Sequence, residues 1–158
     1  MRTALLFSIV AFALALPLAA KDSLGVYSSW AAFRDGAQPR CYAIAKPRGN
    51  RPGSFASVAT WPKQGLRNQV HLRLSRVVGD KGATVRIGER SFVLATLGRD
   101  AWAQDSRMDA AIVAASRSAT RMTVTARDSS GRRFTDRYNL AGAATAIDAA
   151  VVGCAQLS

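Results

Sequence analysis

Residues 121–140, RMTVTARDSSGRRFTDRYNL, contain the clearest strand pattern in the chain and decide its predicted fold. Side chains 121–127 alternate between polar and apolar, which is the pattern of a strand with one buried face. A Ser-Ser-Gly turn at 129–131 reverses the chain, and residues 134–140 return beside the first strand. Asp136 interrupts the apolar face of the returning strand, and the alternation gives no reason for it. The segment predicts an antiparallel hairpin with one face in the core.

The rest of the chain repeats this pattern of short apolar strands separated by turns. Further strands are predicted at residues 26–33, 41–45, 55–61, 70–78, 84–87 and 91–94. The stretch 46–53, KPRGNRPG, is rich in Pro, Gly and basic residues and is predicted to be a surface loop.

Two stretches have helical periodicity. One covers residues 107–117, which Ser106 can cap. The other lies near the C-terminus, with apolar positions at Leu140, Ala144, Ile147, Val151 and Cys154. About eight short strands with two small helices predict a mainly β, antiparallel sandwich. We expect one domain over residues 22–158.

The N-terminus has the composition of a secretory signal peptide over residues 1–20. Arg2 precedes an apolar run over residues 4–16, and small residues follow it. The run is shorter than the roughly 20 apolar residues that a membrane-spanning helix requires. We expect cleavage after Ala20, with Ala15 as the alternative. Export to the periplasm, the outer membrane surface or the medium follows from this prediction.

The chain has two cysteines, Cys41 and Cys154. Two cysteines in a small exported domain usually form a disulfide. Cys154 lies on the apolar stripe of the last helix, so a bridge would attach that helix to the strand containing Cys41. The alternative is a catalytic thiol, for which His71 is the single histidine available as a base. The disulfide is the favoured interpretation.

Several short motifs in a fixed order resemble the invasion-associated locus B family of secreted bacterial proteins. They are Trp30 and Phe33, the CYAIAKP stretch at 41–47, VRIG at 85–88, AWA at 101–103, MTV at 122–124 and DRYNL at 136–140. The resemblance implies an immunoglobulin-like β-sandwich, export, and pairing of Cys41 with Cys154. It brings no catalytic residues with it.

The polar residues form no motif for catalysis or metal binding. His71 lies on the polar face of its predicted strand and is predicted to be solvent-exposed. Ser75 shares that face, but strand spacing separates the two residues by more than about 10 Å. Asp105 and Asp109 begin a helix, where carboxylates interact favourably with its dipole, and they supply two of the six or more oxygens that calcium needs. We predict no enzyme, cofactor or metal, with a hydrolase as a distant alternative.

The formal net charge is +12, with arginine far outnumbering lysine. Guanidinium groups suit bidentate binding of phosphate and carboxylate. The strongest candidates for an anion site are the outward positions of the strand at 121–127 and the residues after its turn. These are Arg121, Thr123, Thr125, Arg127, Arg132 and Arg133.

Two functional interpretations follow. The first is a binding or adhesion module for an anionic envelope or host-surface component, such as lipopolysaccharide, an acidic lipid or a sulfated glycan, or for an envelope protein. Nucleic acid is not expected, because export separates the protein from the genome. The second is a structural or accessory envelope protein whose charge is incidental. Clustering of arginine on one face favours the first, and even dispersal favours the second.

Overall fold

The computed structural model describes residues 21–155 and residue 157. The predicted signal peptide at 1–20, with both cleavage positions, lies outside the described residues. The strands are β1 Lys21–Tyr27, β2 Trp30–Asp35, β3 Arg40–Ala45, β4 Phe55–Trp61, β5 Leu66–Arg73, β6 Ala83–Ile87, β7 Arg90–Leu97, β8 Asp100–Trp102, β9 Arg121–Arg127 and β10 Arg133–Asn139. The helices are α1 Ser106–Ser118 and α2 Ala143–Cys154, and a short 3-10 turn covers Pro62–Gln64.

The predicted fold class is confirmed: the described chain is mainly β and antiparallel, with two helices and one disulfide. All ten strands join in one sheet, in the order β1-β2-β3-β4-β5-β8-β7-β6-β9-β10. Strand β7 connects the two parts of this sheet, because residues 90–94 pair with β6 and residues 95–97 pair with β8. Apolar side chains from both parts contribute to one core.

The helices cover the core side of the sheet. Helix α2 packs on β1 to β4, and α1 packs mainly on β5. The disulfide between Cys41 and Cys154 is confirmed, with the two Cα atoms 5.5 Å apart. It joins the end of α2 to the buried face of β3, where Cys41 is inaccessible to solvent.

The hairpin at 121–140 forms as predicted, with β9 and β10 paired along their full length. The structure also explains why Asp136 lies on the apolar face of β10. Its Oδ2 accepts the backbone amide of Ser75 at 2.7 Å, and Oδ1 lies 3.9 Å from Nε of Arg51. The carboxylate faces inward because it satisfies groups from two other segments of the chain.

Several predicted boundaries are wrong. The single strand expected at 26–33 is two strands, β1 and β2, which pair around a turn where Ser28 has a φ of 55°. Because the residues on both sides of the turn are apolar or aromatic and the turn contains no Gly or Pro, composition did not reveal the reversal. The strand expected at 70–78 ends at Arg73, which pairs with Phe55 and Asp100, the first residues of β4 and β8.

Both helix starts also differ from prediction. Asp105, rather than Ser106, caps α1, because its Oδ1 accepts the amide of Met108 at 2.8 Å. Helix α2 begins at Ala143 rather than near Leu140, since Gly142 adopts a left-handed φ of 86° that interrupts the helical geometry. Strand β8, only three residues long, was not predicted.

Candidate functional site

The outward side of β6, β9 and β10 is a surface of arginine and threonine, which we call the basic face. Residues on these strands alternate between buried and accessible, so the side that faces solvent is well defined. The basic face comprises Thr84, Arg86, Arg121, Thr123, Thr125, Arg127, Arg133, Thr135, Arg137 and Asn139. No Asp or Glu occupies an outward position on these three strands.

Strand register brings the charged side chains together. Arg127 lies directly opposite Arg133 across β9 and β10. Thr123 lies between Arg86 on one side and Arg137 on the other. Side chains opposite each other in an antiparallel pair have Cβ atoms about 5 Å apart, and like charges there repel. The native sheet therefore holds cations close to one another, an arrangement that a bound anion would relieve.

Elsewhere in the described chain, seven of twelve arginines pair with a carboxylate. The shortest such ion pairs are Arg117–Asp148 at 2.6 Å, Arg34–Asp22 at 2.7 Å and Arg73–Asp100 at 2.8 Å. Within the part of the chain that the structure describes, none of the five arginines on the basic face makes an ion pair. The basic face therefore combines proximity of like charges with a lack of internal counterions.

Two shallow concavities lie at opposite ends of the basic face. One has a volume of about 240 Å³ and is lined by Lys81, Thr84, Thr125, Arg127 and Arg133. The other has a volume of about 400 Å³ and is lined by Arg86, Ser118, Thr120, Arg121 and Thr123, among others. Both combine guanidinium groups with hydroxyl donors, which are the groups that bind phosphate and sulfate oxygens.

Three of the four predicted arginines, Arg121, Arg127 and Arg133, lie on the basic face. Arg132 does not join them, because its Nε donates to Asp128 Oδ2 at 3.2 Å in the turn between the strands. Burial tends to raise the pKa of Asp128, but hydrogen bonds from the backbone of Arg132 and the charge of Arg132 outweigh it and hold this pKa below its usual value. Arg132 thus shares the Asp128 carboxylate with Arg76 in this part of the structure.

Sequence reasoning missed Arg86, Arg137 and Lys81. The alternation within 134–140 places Arg137 outward, so that signal was available. Arg86 and Lys81 depend on β6 pairing with β9, two strands far apart in sequence. Nothing in the local sequence indicates that pairing.

His71 is half-buried and pairs with Asp100, so the prediction that its side chain is solvent-exposed is wrong. Its Nε2 lies 2.9 Å from Asp100 Oδ1, and its ring stacks on Trp102 with the ring centroids 5.3 Å apart. Nη1 of Arg73 donates to the same carboxylate at 2.8 Å. Desolvation opposes ionisation of Asp100, but the hydrogen bonds from His71 and Arg73 outweigh it and lower its pKa.

This cluster does not form a catalytic triad. Ser57 lies opposite His71 across β4 and β5, but its Oγ donates to the backbone carbonyl of His71 at 3.3 Å rather than to the ring. In the described chain, no hydroxyl or thiol is hydrogen-bonded to the imidazole, so the nucleophile that a triad needs is not in position. His71 and Asp100 therefore join β5 to β8.

The two carboxylates at the start of α1 bind backbone amides. Asp105 caps the helix, and Asp109 accepts the amide of Val70 at 2.8 Å. Burial raises the pKa of Asp109, although the bond from Val70 opposes the shift. Residues 21–155 and 157 contain no group of three or more potential metal ligands. None of the helices described is long and apolar enough to span a bilayer.

These features define a class of protein: a mainly antiparallel β domain with two helices and one disulfide. The family model for the Invasion associated locus B (IalB) protein matches residues 36–151. The chain belongs to the invasion-associated locus B family, as its sequence motifs indicate, and membership supports an envelope-associated protein. No curated protein and no solved structure matches the chain.

Proposed function

We propose that this protein is an exported, non-enzymatic binding module that attaches to an anionic component of the cell envelope or a host surface through its basic face. The observation that carries the proposal is the set of five arginines that share this face without an ion pair among the described residues. The sheet fixes the backbone positions of these arginines, so the backbone does not have to rearrange when an anion binds.

The arrangement favours a ligand with several anionic groups. The arginines extend across three strands, and the two concavities lie at opposite ends of the basic face. A single small anion would contact one end only. The phosphates of lipopolysaccharide, clustered acidic lipid head groups and sulfated glycans all present anions in series. Binding of each should weaken steeply with salt, because guanidinium contacts release counterions.

The test compares two triple variants of the mature protein. In the first, Arg121, Arg127 and Arg133 are replaced by Ser. In the second, Lys63, Arg67 and Arg107, which are exposed on other parts of the surface, are replaced by Ser. Both variants lose the same formal charge. Binding to lipopolysaccharide and to heparin would be measured at about 50 mM and about 300 mM salt.

We expect salt-sensitive binding that the first variant loses and the second retains. Equal losses in the two variants would show that net charge alone drives binding. The accessory-protein interpretation would then be favoured. No binding at either salt concentration would contradict the proposal.

Export is the second component of the proposal. It rests on the apolar run at 4–16 and on the disulfide, a bond that forms in oxidising compartments. N-terminal sequencing of the protein recovered from the envelope fraction should begin at Lys21. A protein that retains Met1 would contradict the signal-peptide prediction.

A further inference from the structure

A larger cavity lies apart from the basic face, between the β1–β2 turn and the loop that connects β3 to β4. Its volume is about 670 Å³, within the range of small-molecule sites. Phe33, Ile44 and Phe55 form its apolar wall, and residues 46–53 border its other side. The lining is mainly apolar and open to solvent, whereas the core of a small domain would bury such side chains.

The loop that borders the cavity is fixed by hydrogen bonds. The amide of Arg48 donates to the carbonyl of Arg137 at 2.7 Å. Nη2 of Arg99 donates to the carbonyl of Pro52 at 3.2 Å and to Ser54 Oγ at 3.3 Å. The loop is therefore attached to two other segments of the chain. A ligand would enter a preformed site and would not have to order the loop.

The charged residues at the rim of the cavity are all basic. Lys46 and Arg51 line it, and no Asp or Glu does. The charge of Arg51 is partly balanced, since its Nε lies 3.9 Å from the buried Asp136. Lys46 is exposed and makes no ion pair among the described residues. The cavity thus combines an apolar wall with an unpaired ammonium group at its mouth.

We propose that this cavity binds an amphipathic anion with one alkyl chain, such as a fatty acid or a single-chain phospholipid. The chain would lie against Phe33, Ile44 and Phe55, and the carboxylate or phosphate would pair with Lys46. An uncharged apolar ligand would use the wall but leave the ammonium without a partner. This site shares no lining residue with the concavities of the basic face and does not depend on the proposed function.

The test uses displacement of the fluorescent fatty acid cis-parinarate from the full mature protein. Oleate supplies the carboxylate, oleoyl lysophosphatidate supplies the phosphate, and oleyl alcohol supplies the same chain without charge. The variants are Lys46→Ala, which removes the ammonium, and Ile44→Asp, which places a carboxylate on the apolar wall. Lys63→Ala is the matched control, because Lys63 is exposed and does not line the cavity.

We expect oleate or lysophosphatidate to displace the probe more strongly than oleyl alcohol does, and the stronger of the two identifies the head group. Lys46→Ala should lower affinity for that anion about tenfold, the effect of losing one charge-assisted contact. The affinity for oleyl alcohol should not change. Ile44→Asp should weaken binding of all three ligands, and Lys63→Ala should bind as the wild type does.

The proposal would be overturned if the protein failed to bind the probe, or if it bound oleate, lysophosphatidate and oleyl alcohol with equal affinity. Undiminished binding of the anion in Lys46→Ala would also overturn it. Loss of oleate binding in the triple variant of Arg121, Arg127 and Arg133 would also overturn it, because the basic face would then hold the ligand. Since Lys46 is an exposed loop residue, its variant tests the site without disturbing the core.

Discussion

Asp136 shows how one buried carboxylate joins three segments. Its side chain is inaccessible to solvent, and it accepts the amide of Ser75 at 2.7 Å while lying 3.9 Å from Arg51. Asp136→Ala would leave that amide without an acceptor and Arg51 without its counterion. We expect the free energy of unfolding to fall by about 2 kcal/mol, the usual cost of leaving a buried backbone amide without its acceptor. Urea denaturation monitored by circular dichroism would measure it.

Asp136→Asn separates the two contributions, because it retains an oxygen that can accept the Ser75 amide but removes the charge. We expect it to cost less than Asp136→Ala, since the hydrogen bond at 2.7 Å is much closer than the ion pair at 3.9 Å. Equal losses in the two variants would show that the charge stabilises the fold more than the hydrogen bond does.

Asp109 gives a prediction on pH dependence. Burial raises its pKa above the ordinary value of 3.8. The native state therefore binds this proton more tightly than the unfolded state, so ionisation of Asp109 lowers stability as pH rises. Asp109→Asn keeps an acceptor for the Val70 amide and removes the ionisation. Compared with this variant, the wild type should lose stability from just below pH 4 upward, with the difference levelling off above the native pKa.

The measurement is the urea midpoint of the wild type and Asp109→Asn at a series of pH values. The difference between them should become independent of pH in strong acid, where Asp109 is protonated in both the native and the unfolded state. Asp109→Ala is the control that removes the hydrogen bond, and it should be destabilised at every pH. A difference that grows toward acid pH would have the opposite sign and would reject the assigned shift.

At the scale of elements, alternation predicted the β9–β10 hairpin because each of those strands has one buried face. Alternation did not reveal strand ends where the local composition does not mark a turn. Ser28 takes a left-handed conformation without the Gly or Asn that usually marks one, so β1 and β2 were predicted as one strand. Strand β8 was not predicted because three residues are too few for a periodic pattern. Its pairing with β5 joins residues that lie far apart in the sequence.

Gly142 determines how α2 meets the first hairpin. Its φ is 86°, and a Cβ built on it would overlap the backbone carbonyl of Tyr27. Gly142→Ala should therefore combine backbone strain with a steric clash, lowering the free energy of unfolding by about 3 kcal/mol. Gly131→Ala is the matched control, since Gly131 has a φ of 78° but open space around it.

We expect Gly131→Ala to cost only about 1 kcal/mol, the contribution of left-handed geometry alone. Thermal unfolding of both variants would give the comparison. Equal costs would show that the β1–β2 turn moves to accommodate the new methyl group. In that case Gly142 would be required for its backbone conformation and not for the close approach of α2 to Tyr27.

At the scale of the whole molecule, the candidate site could be predicted only in part. The arginines of one hairpin, Arg121, Arg127 and Arg133, follow from alternation. The assembly of the face does not, since Arg86 joins it through pairing of β6 with β9. Arg132 was predicted with them, and sequence proximity does not show that it pairs with Asp128 in the turn. Charge pairing and strand order are tertiary properties, and a single sequence contains no direct record of them.

The disulfide acts on the same scale, because it links residues separated by 113 positions. A bridge that closes so long a loop restricts the unfolded chain strongly, so its loss should cost about 3 kcal/mol. Replacing both Cys41 and Cys154 with Ala should lower the urea midpoint, and dithiothreitol should do the same to the wild type. Reductant should leave the double variant unchanged. If mass spectrometry confirms reduction of the wild type while its midpoint stays the same, packing of α2 on β1 to β4 would hold the helix without the bridge.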